Sequence, residues 1–445
     1  MVFTCICHGD KKLSSRRDFL KLTGTFIAGL AIGGAAGYTL KPSAPEEVTP
    51  SPSPSPSPSP TPEKLKAGWV YVGPIGDYGW THAHDIGRKE AEAAFDWLET
   101  YYVENIDEAK TEGAIEEFIN KGCKVIFTTS FDHMNPTFEA AKKHEDIIFF
   151  HCSGYKRREN MGTYFADLYQ VYYLNGLMAG VLTKTNNIGY VAAHLIPEVI
   201  RHINAFTIGA TEVNPNVKVY VIRIGAWYAP EKAKEAAGTL VDQFNVDVLA
   251  FTEDSPATIE YAQSYFKETG KKIHVFSHYS PMYEFGKDVV VSGQLVRWGI
   301  IYKDILAKVY SGLYTTKNLK NVDYWYLLNT GSVDVGAKTY DDKLWINPAY
   351  EPVLSGVTVT EKYTGAQMSL LDLVNLRYVQ MSDVNPTFDP FTGPLKGRWW
   401  LGEGGTVLGK EYKKGETVTV PTGVRLGHDD LWSMGWFLEN VVVQE

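Results

Sequence analysis

From residue 65 onward the apolar positions alternate between two patterns: short continuous runs of strand character, and longer stretches with apolar residues at helical spacing. This pattern predicts strands at 67–73, 101–106, 124–129 and 146–151, separated by helices at about 81–98, 108–121 and 135–144. A helical segment over 168–184 leads into a second series, with strands near 187–193, 217–224, 247–252, 273–277 and 289–293. Its helices fall near 197–213, 230–244, 255–269 and 297–312. Two such series in succession predict an α/β protein of two doubly wound, Rossmann-like lobes, at 65–185 and 186–290, with a return to the first lobe over 291–330. Over 331–445 the rhythm fades and Gly, Pro, Trp and Tyr become prominent. This C-terminal extension is expected to pack on the lobes as irregular structure and short strands.

Ahead of the lobes the pattern is different in kind. Ser15-Arg16-Arg17-Asp18-Phe19-Leu20-Lys21 resembles the twin-arginine export signal, and the apolar, uncharged run after it suits the core of such a signal. That run, 22–40, spans about 28 Å at ~1.5 Å per residue of helix, long enough to stay in a membrane as an uncleaved anchor. Residues 1–42 therefore read as a signal or N-terminal anchor, and the membrane is expected to be touched only there. Residues 43–64 are a Ser/Pro-rich linker that proline stiffens towards polyproline II, reaching roughly 60 Å. The expected location is extracytoplasmic.

Composition narrows the partners. With 445 residues, 44% hydrophobic, the chain can bury two cores, and a formal charge of −9 excludes nucleic acid as an expected partner of the globular part. Cys123 and Cys152 are expected at opposite ends of parallel strands, which argues against a disulfide. Cys5 and Cys7 offer too few ligands for a metal site, and no metal or cofactor is expected.

The stretch that carries candidate chemistry is Gly73-Pro74-Ile75-Gly76-Asp77-Tyr78-Gly79-Trp80-Thr81, a turn between the first strand and its helix. Such turns lie at the carboxyl edge of a parallel sheet, where open α/β folds bind ligands. The glycine spacing fits neither G-x-G-x-x-G nor the phosphate loop, and Asp77 would repel a pyrophosphate. His82 and His84, two apart on a helix, point to nearly opposite faces and read as capping and packing residues.

This turn, together with 129–136, 154–160, Tyr173-Leu174-Asn175-Gly176-Leu177-Met178-Ala179-Gly180, Ile196-Pro197-Glu198-Val199-Ile200-Arg201, Gly225-Ala226-Trp227-Tyr228 and Thr252-Glu253-Asp254-Ser255-Pro256, resembles the basic membrane protein family of ABC-transporter solute-binding proteins. That family includes purine-nucleoside receptors. Phe391-Thr392-Gly393-Pro394-Leu395 and 433–437 extend the resemblance into the tail. The resemblance implies a type I periplasmic-binding-protein fold, hinge closure on a buried ligand, an ABC transporter permease as partner, and no enzymatic activity.

Several residues then become candidates for ligand binding. Trp80 and Trp227 follow strand ends in different lobes and could sandwich a flat ring, with Phe131 as a third edge aromatic. Asp77 and Asp254 also lie at strand ends as acceptors for ring N–H groups, although Asp254 could equally be a helix N-cap. Trp298, beside Arg297, and His278 complete the set. The sequence departs from nucleoside-binding members at Gly79-Trp80-Thr81, at Ala229, and at His278-Tyr279-Ser280, where a sugar-gripping acid is missing. An adenine-like base is therefore expected to fit better than a nucleoside. A ligand-sensing ectodomain and a secreted hydrolase are the competing readings, and the latter lacks a recognisable nucleophile, base and orienter.

Overall fold

A computed structural model describes residues 63–444, so the signal-like segment and nearly all of the linker lie outside it. The first series builds β1 (Leu65–Val70), α1 (Trp80–Ala94), β2 (Leu98–Val103), α2 (Glu108–Asn120), β3 (Val125–Thr128), α3 (Met134–Lys143), β4 (Ile148–Cys152), β5 (Met161–Ala166) and α4 (Tyr169–Leu182). The second builds β6 (Asn187–Ala192), α5 (Pro197–Val213), β7 (Lys218–Arg223), α6 (Pro230–Phe244), β8 (Val248–Thr252), α7 (Ala257–Thr269), β9 (His274–Ser277) and β10 (Val290–Val296). α8 (Trp298–Tyr310) and β11 (Asp323–Tyr326) return to the first lobe, and β12 (Val333–Val335) crosses back to the second.

The strands order as β2-β1-β3-β4-β5-β11, all parallel, in one sheet and as β20-β7-β6-β8-β9-β10-β12 in the other. Here β20 (Val441–Gln444) is the last strand of the chain, pairing parallel with β7, and β12 is antiparallel to β10. Every residue of β3, β4 and β5 is buried, as helices on both faces of a parallel sheet require. The turns after β1, β3 and β4 meet those after β6, β7, β8 and β9, so both sheets turn their carboxyl edges toward the space between the lobes.

The extension is more ordered than its composition suggests. Between β12 and β20 lie α9 (Glu351–Gly356), β13 (Thr358–Thr360), β14 (Gln367–Ser369), α10 (Leu370–Ser382), β15 (Leu395–Trp399), β16 (Gly405–Val407), β17 (Lys410–Tyr412), β18 (Thr417–Val420), α11 (His428–Trp432) and β19 (Trp436–Leu438). α10, unforeseen in the sequence, is capped by the Ser369 side chain and buries Leu370, Leu373, Val374, Arg377 and Met381 against α4 and its neighbours. β5 was likewise not anticipated, because Met161-Gly162-Thr163-Tyr164-Phe165-Ala166 is interrupted by glycine. Cys123 and Cys152 are separate buried thiols, in keeping with the geometric expectation. Among the described residues no helix is long and apolar enough to cross a membrane.

The lobes are joined where α4 leaves β5. α4 is buried on nearly all sides, its polar residues Gln170 and Asn175 included, and it packs most closely on α5. Glycines make that approach possible, since a Cβ at Gly176 would overlap the Phe206 carbonyl and one at Gly209 the Tyr173 carbonyl. Beside this contact Asp167 is wholly buried, with Arg201 Nε of α5 at 2.8 Å, His202 Nε2 at 3.3 Å and Trp325 Nε1 of β11 donating at 3.0 Å. Burial pushes the Asp167 carboxyl up, but Arg201 and His202 outweigh it and hold the group down at about 2. One carboxylate thus ties the crossover to both lobes. Its contribution to stability is present above the ordinary carboxylate pKa near 4 and is lost as pH falls toward 2. Asp167→Ala leaves Arg201 buried and unpaired, so denaturant unfolding at neutral pH should report a loss of about 3–5 kcal/mol. A loss below about 1 kcal/mol would show that the ion pair does not hold the hinge.

Candidate functional site

The turn after β1 is organised by two carboxylates. Asp77 Oδ1 accepts from the backbone N–H of Gly79 (2.8 Å) and His82 (3.0 Å), and Oδ2 accepts from Thr81 (3.1 Å). The remaining N–H of the helix start, that of Trp80, donates to Asp254 Oδ1 at 3.0 Å, and Asp254 belongs to the other lobe, just after β8. A helix start leaves four backbone donors unsatisfied. At α1 three are met from within the first lobe and one from the second. The absence of a side chain at Gly79 permits this, because a Cβ there would collide with the Asp254 main chain.

Around that junction the strand ends of both lobes bring side chains together. Trp80, Val72, Ser130, Phe131 and Ser153 from the first lobe and Ile196, Glu198, Trp227, Asp254 and Tyr279 from the second line one cavity with about 340 Å³ of empty space. The Trp80 ring is braced edge-on by Tyr279 (centroids 5.3 Å apart), Trp298 (5.4 Å) and His84 (4.7 Å), and its Nε1 donates to the Thr129 carbonyl. Trp227 is half-buried beside His194, at 5.0 Å, and its carbonyl accepts from the Asp254 N–H. Glu198, in the first turn of α5, accepts from Tyr279 OH at 2.8 Å and from Ser153 Oγ at 3.3 Å, a second link between the lobes. Tyr78, Ser153 and Tyr279 all adopt positive φ, at 62°, 67° and 62°. For non-glycine residues this costs on the order of 1 kcal/mol or more each, and such strain concentrates at binding sites.

Of the residues expected from sequence, Trp80, Phe131, Trp227 and Asp254 meet in this cavity. Asp77 does not line it: its Oδ1 accepts two and its Oδ2 one of the N–H groups of the helix start. Trp298 is fully buried one layer behind, stacked on His84 at 4.1 Å. His278 is also behind the wall, with Nδ1 against Tyr172 OH at 2.7 Å, and burial pushes its pKa down. Asp254 is not the cap of its own helix, since it caps α1 across the cleft. Arg297 does not line the cavity either: its largely buried side chain is paired with Asp334 and donates to the Gly331 carbonyl. His82 turns to the Ile75 carbonyl and His84 to Tyr302 OH, so the two do not converge. Glu198, Tyr279 and Ser153 were not singled out from sequence. Glu198 sits within the matching stretch 196–201, and Tyr279 stands where the family's acid was missed.

The two acids at the head of α1 are electrostatically unusual. Burial raises Asp77 to about 6 despite its three backbone donors, and burial first, then the nearness of Asp77, raises Asp254. Glu253 beside them is raised by burial to about 8. The helix dipole favours a negative charge here, but not two in a dry site.

Residues 64–346 match the Bmp family, described as PnrA-like ABC transporter substrate-binding proteins. The chain belongs to the Bmp family. A purine-binding protein of Brucella abortus is 38% identical over 279 residues, 62% of this chain and 76% of that one. A putative ABC transporter glucose-binding protein, TsgA13, of Haloferax volcanii is 34% identical over 300 residues, 67% of this chain and 72% of its own. Among solved structures, an ABC transporter solute-binding protein from Aeropyrum pernix superposes with a TM-score of 0.55 at 15% identity, covering 61% of this chain and 76% of that one. One from Conexibacter woesei gives 0.51 at 17%, covering 64% and 92%. The fold is that of the type I periplasmic-binding proteins, and Bmp proteins are non-catalytic solute-binding proteins.

A carboxyl whose pKa is raised in the folded state favours that state at low pH and weakens it as pH rises through the raised value. Asp254→Asn supplies a neutral isostere that can still accept from Trp80 N–H. By denaturant unfolding the variant should match the parent near pH 4 and exceed it in stability at pH 8. A variant less stable than the parent at pH 8 would mean that the carboxylate is held ionised.

Proposed function

We propose that this Bmp protein binds a purine-like base or nucleoside between its lobes and delivers it to the permease of an ABC importer. The observation that carries the reading is the lining of one interlobe cavity by aromatic rings from both lobes, Trp80 and Phe131 on one side and Trp227 and Tyr279 on the other. Asp254 supplies the acceptor: Oδ1 is used by Trp80, and Oδ2 has no partner among the described residues. The acceptor expected at Asp77 is thereby reassigned to Asp254, which a purine N–H would meet from inside the cavity.

Closure follows from the same contacts. A ligand touching Trp80 and Trp227 together stabilises only the arrangement in which Asp254 completes α1 and Glu198 meets Ser153, so binding and closure are coupled. The similarity to a purine-binding protein supports the ligand class, while the relative named as glucose-binding sets the competitor. Four aromatic side chains in the inner cavity favour a heterocycle over a sugar there. The signal-like segment at 1–42 and the linker at 43–64 fit a domain exported by the twin-arginine route and held outside the cell membrane.

The test is calorimetric titration of the protein with adenine. Trp227→Ala should weaken binding by roughly tenfold to a hundredfold, the loss of about 1.5–3 kcal/mol of stacking and burial, and Trp80→Phe should weaken it less. Adenine binding unchanged in Trp227→Ala, or a parent that binds glucose and not adenine, would overturn the proposal.

A further inference from the structure

Behind the second-lobe wall of the inner cavity, a row of buried polar side chains runs back to the hinge. Tyr279 forms that part of the wall: its OH donates to Glu198 at 2.8 Å and its ring braces Trp80 edge-on. The Ser280 N–H donates to the His278 carbonyl at 2.8 Å, closing a three-residue turn around Tyr279 that accounts for its positive φ. Such a turn is strained, and the ring it carries is backed by the His278 ring, with centroids 3.7 Å apart. His278 is in turn fixed from α4, where Tyr172 OH stands 2.7 Å from its Nδ1. Tyr172 stacks at 4.7 Å on His202, the neighbour of Asp167. Gln294 of β10 lies beside the His278 ring and has no other partner among the described residues, and all four of these side chains are buried.

The hydrogens of this row follow from its acceptors. A carbonyl only accepts, and that of Phe251 lies 2.8 Å from Tyr172 OH, so the single phenolic proton goes there. The Tyr172 oxygen is then an acceptor toward His278, whose Nδ1 carries the hydrogen. Burial first, then the nearness of His202, push the His278 pKa down, so the ring is neutral and Nε2 is bare. We propose that His278 is a positioning residue for ligand binding: fixed by Tyr172 as the Nδ1–H tautomer, it supports Tyr279 from behind and sets where that ring and hydroxyl stand in the cavity. This rests on the reading of the inner cavity as the ligand site. Tyr279 meets both Trp80 and Glu198, so a displacement of its ring moves an aromatic wall and a carboxylate together. His278, expected from sequence as a ligand contact, thus acts one layer back, through Tyr279.

Two measurements on the full chain test this. With nitrogen-15 histidine labelling, His278 is assigned by the signal lost in His278→Asn; in the parent it should be a neutral ring protonated on Nδ1, without titrating between about pH 5 and 8. Protonation on Nε2 would overturn the proposal, and this result needs neither a ligand nor a folded variant other than the one used for assignment. Calorimetric titration with adenine then compares variants. Tyr172→Phe keeps the ring and removes the hydroxyl, and should weaken binding by roughly threefold to tenfold, the effect of one neutral hydrogen bond. His278→Leu should weaken it at least as much, and His278→Asn, whose amide retains a donor toward Tyr172, should lie between that variant and the parent. Parent-like affinity in His278→Leu, or the same loss in His278→Leu and His278→Asn, would overturn the positioning role while leaving the heterocycle reading intact. Failure of the parent to bind adenine would overturn the heterocycle reading and the positioning role together.

Discussion

The start of α1 is completed from the opposite lobe, and much of the cleft follows from that one constraint. A helix end buried without partners for its first N–H groups is costly, and here Asp77 supplies three acceptors and Asp254 the fourth. Because the fourth comes across the cleft, the first lobe has a fully satisfied helix start only when the second lobe is docked against it. Trp80, the residue whose N–H makes that bond, also presents its ring to the cavity. The contact that registers closure and the surface that meets ligand are therefore one residue. Raised carboxyl pKa values at Asp77 and Asp254 are the electrostatic cost of the same arrangement, two acids packed onto one dry helix end.

Opposite charge logic governs the hinge. Asp167 is as buried as Asp254, yet Arg201, His202 and the Trp325 indole hold it ionised. A permanently paired carboxylate suits the joint that both lobes share, whereas the poorly compensated acids sit where the lobes part. The C-terminal extension reinforces this frame rather than trailing from it: β20 lengthens the second sheet, α10 packs on α4, and Arg201 ties α11 to the same ion cluster.

Most of the architecture was legible because buried parallel strands are short apolar runs and the helices between them keep a 3.6-residue period; 197–213 and 230–244 appear with the bounds expected. β5 escaped because a glycine breaks its run, and α10 because Gly- and Pro-rich surroundings obscured a helix with a serine cap. At the site, residue type and position after a strand were enough to find Trp80, Phe131, Trp227 and Asp254. What sequence could not show is which oxygens are already spent. Asp77 looks as available as Asp254 until its three backbone donors are seen. Tyr279 and Ser153 owe their place to a positive φ, and Glu198 to the junction of α5 with two loops, features that only the folded chain displays.

The central claim, that ligand and the Asp254 cap stabilise the same docked arrangement of the lobes, is tested most directly by an interlobe distance. Spin labels at Lys142→Cys on α3 and Lys232→Cys on α6, both exposed, report it by pulsed electron resonance. The account predicts a narrow, short distance with adenine bound, a longer or broader distribution without it, and a shift toward the longer one in Asp254→Ala even with ligand present. The same distribution in all three conditions would contradict it.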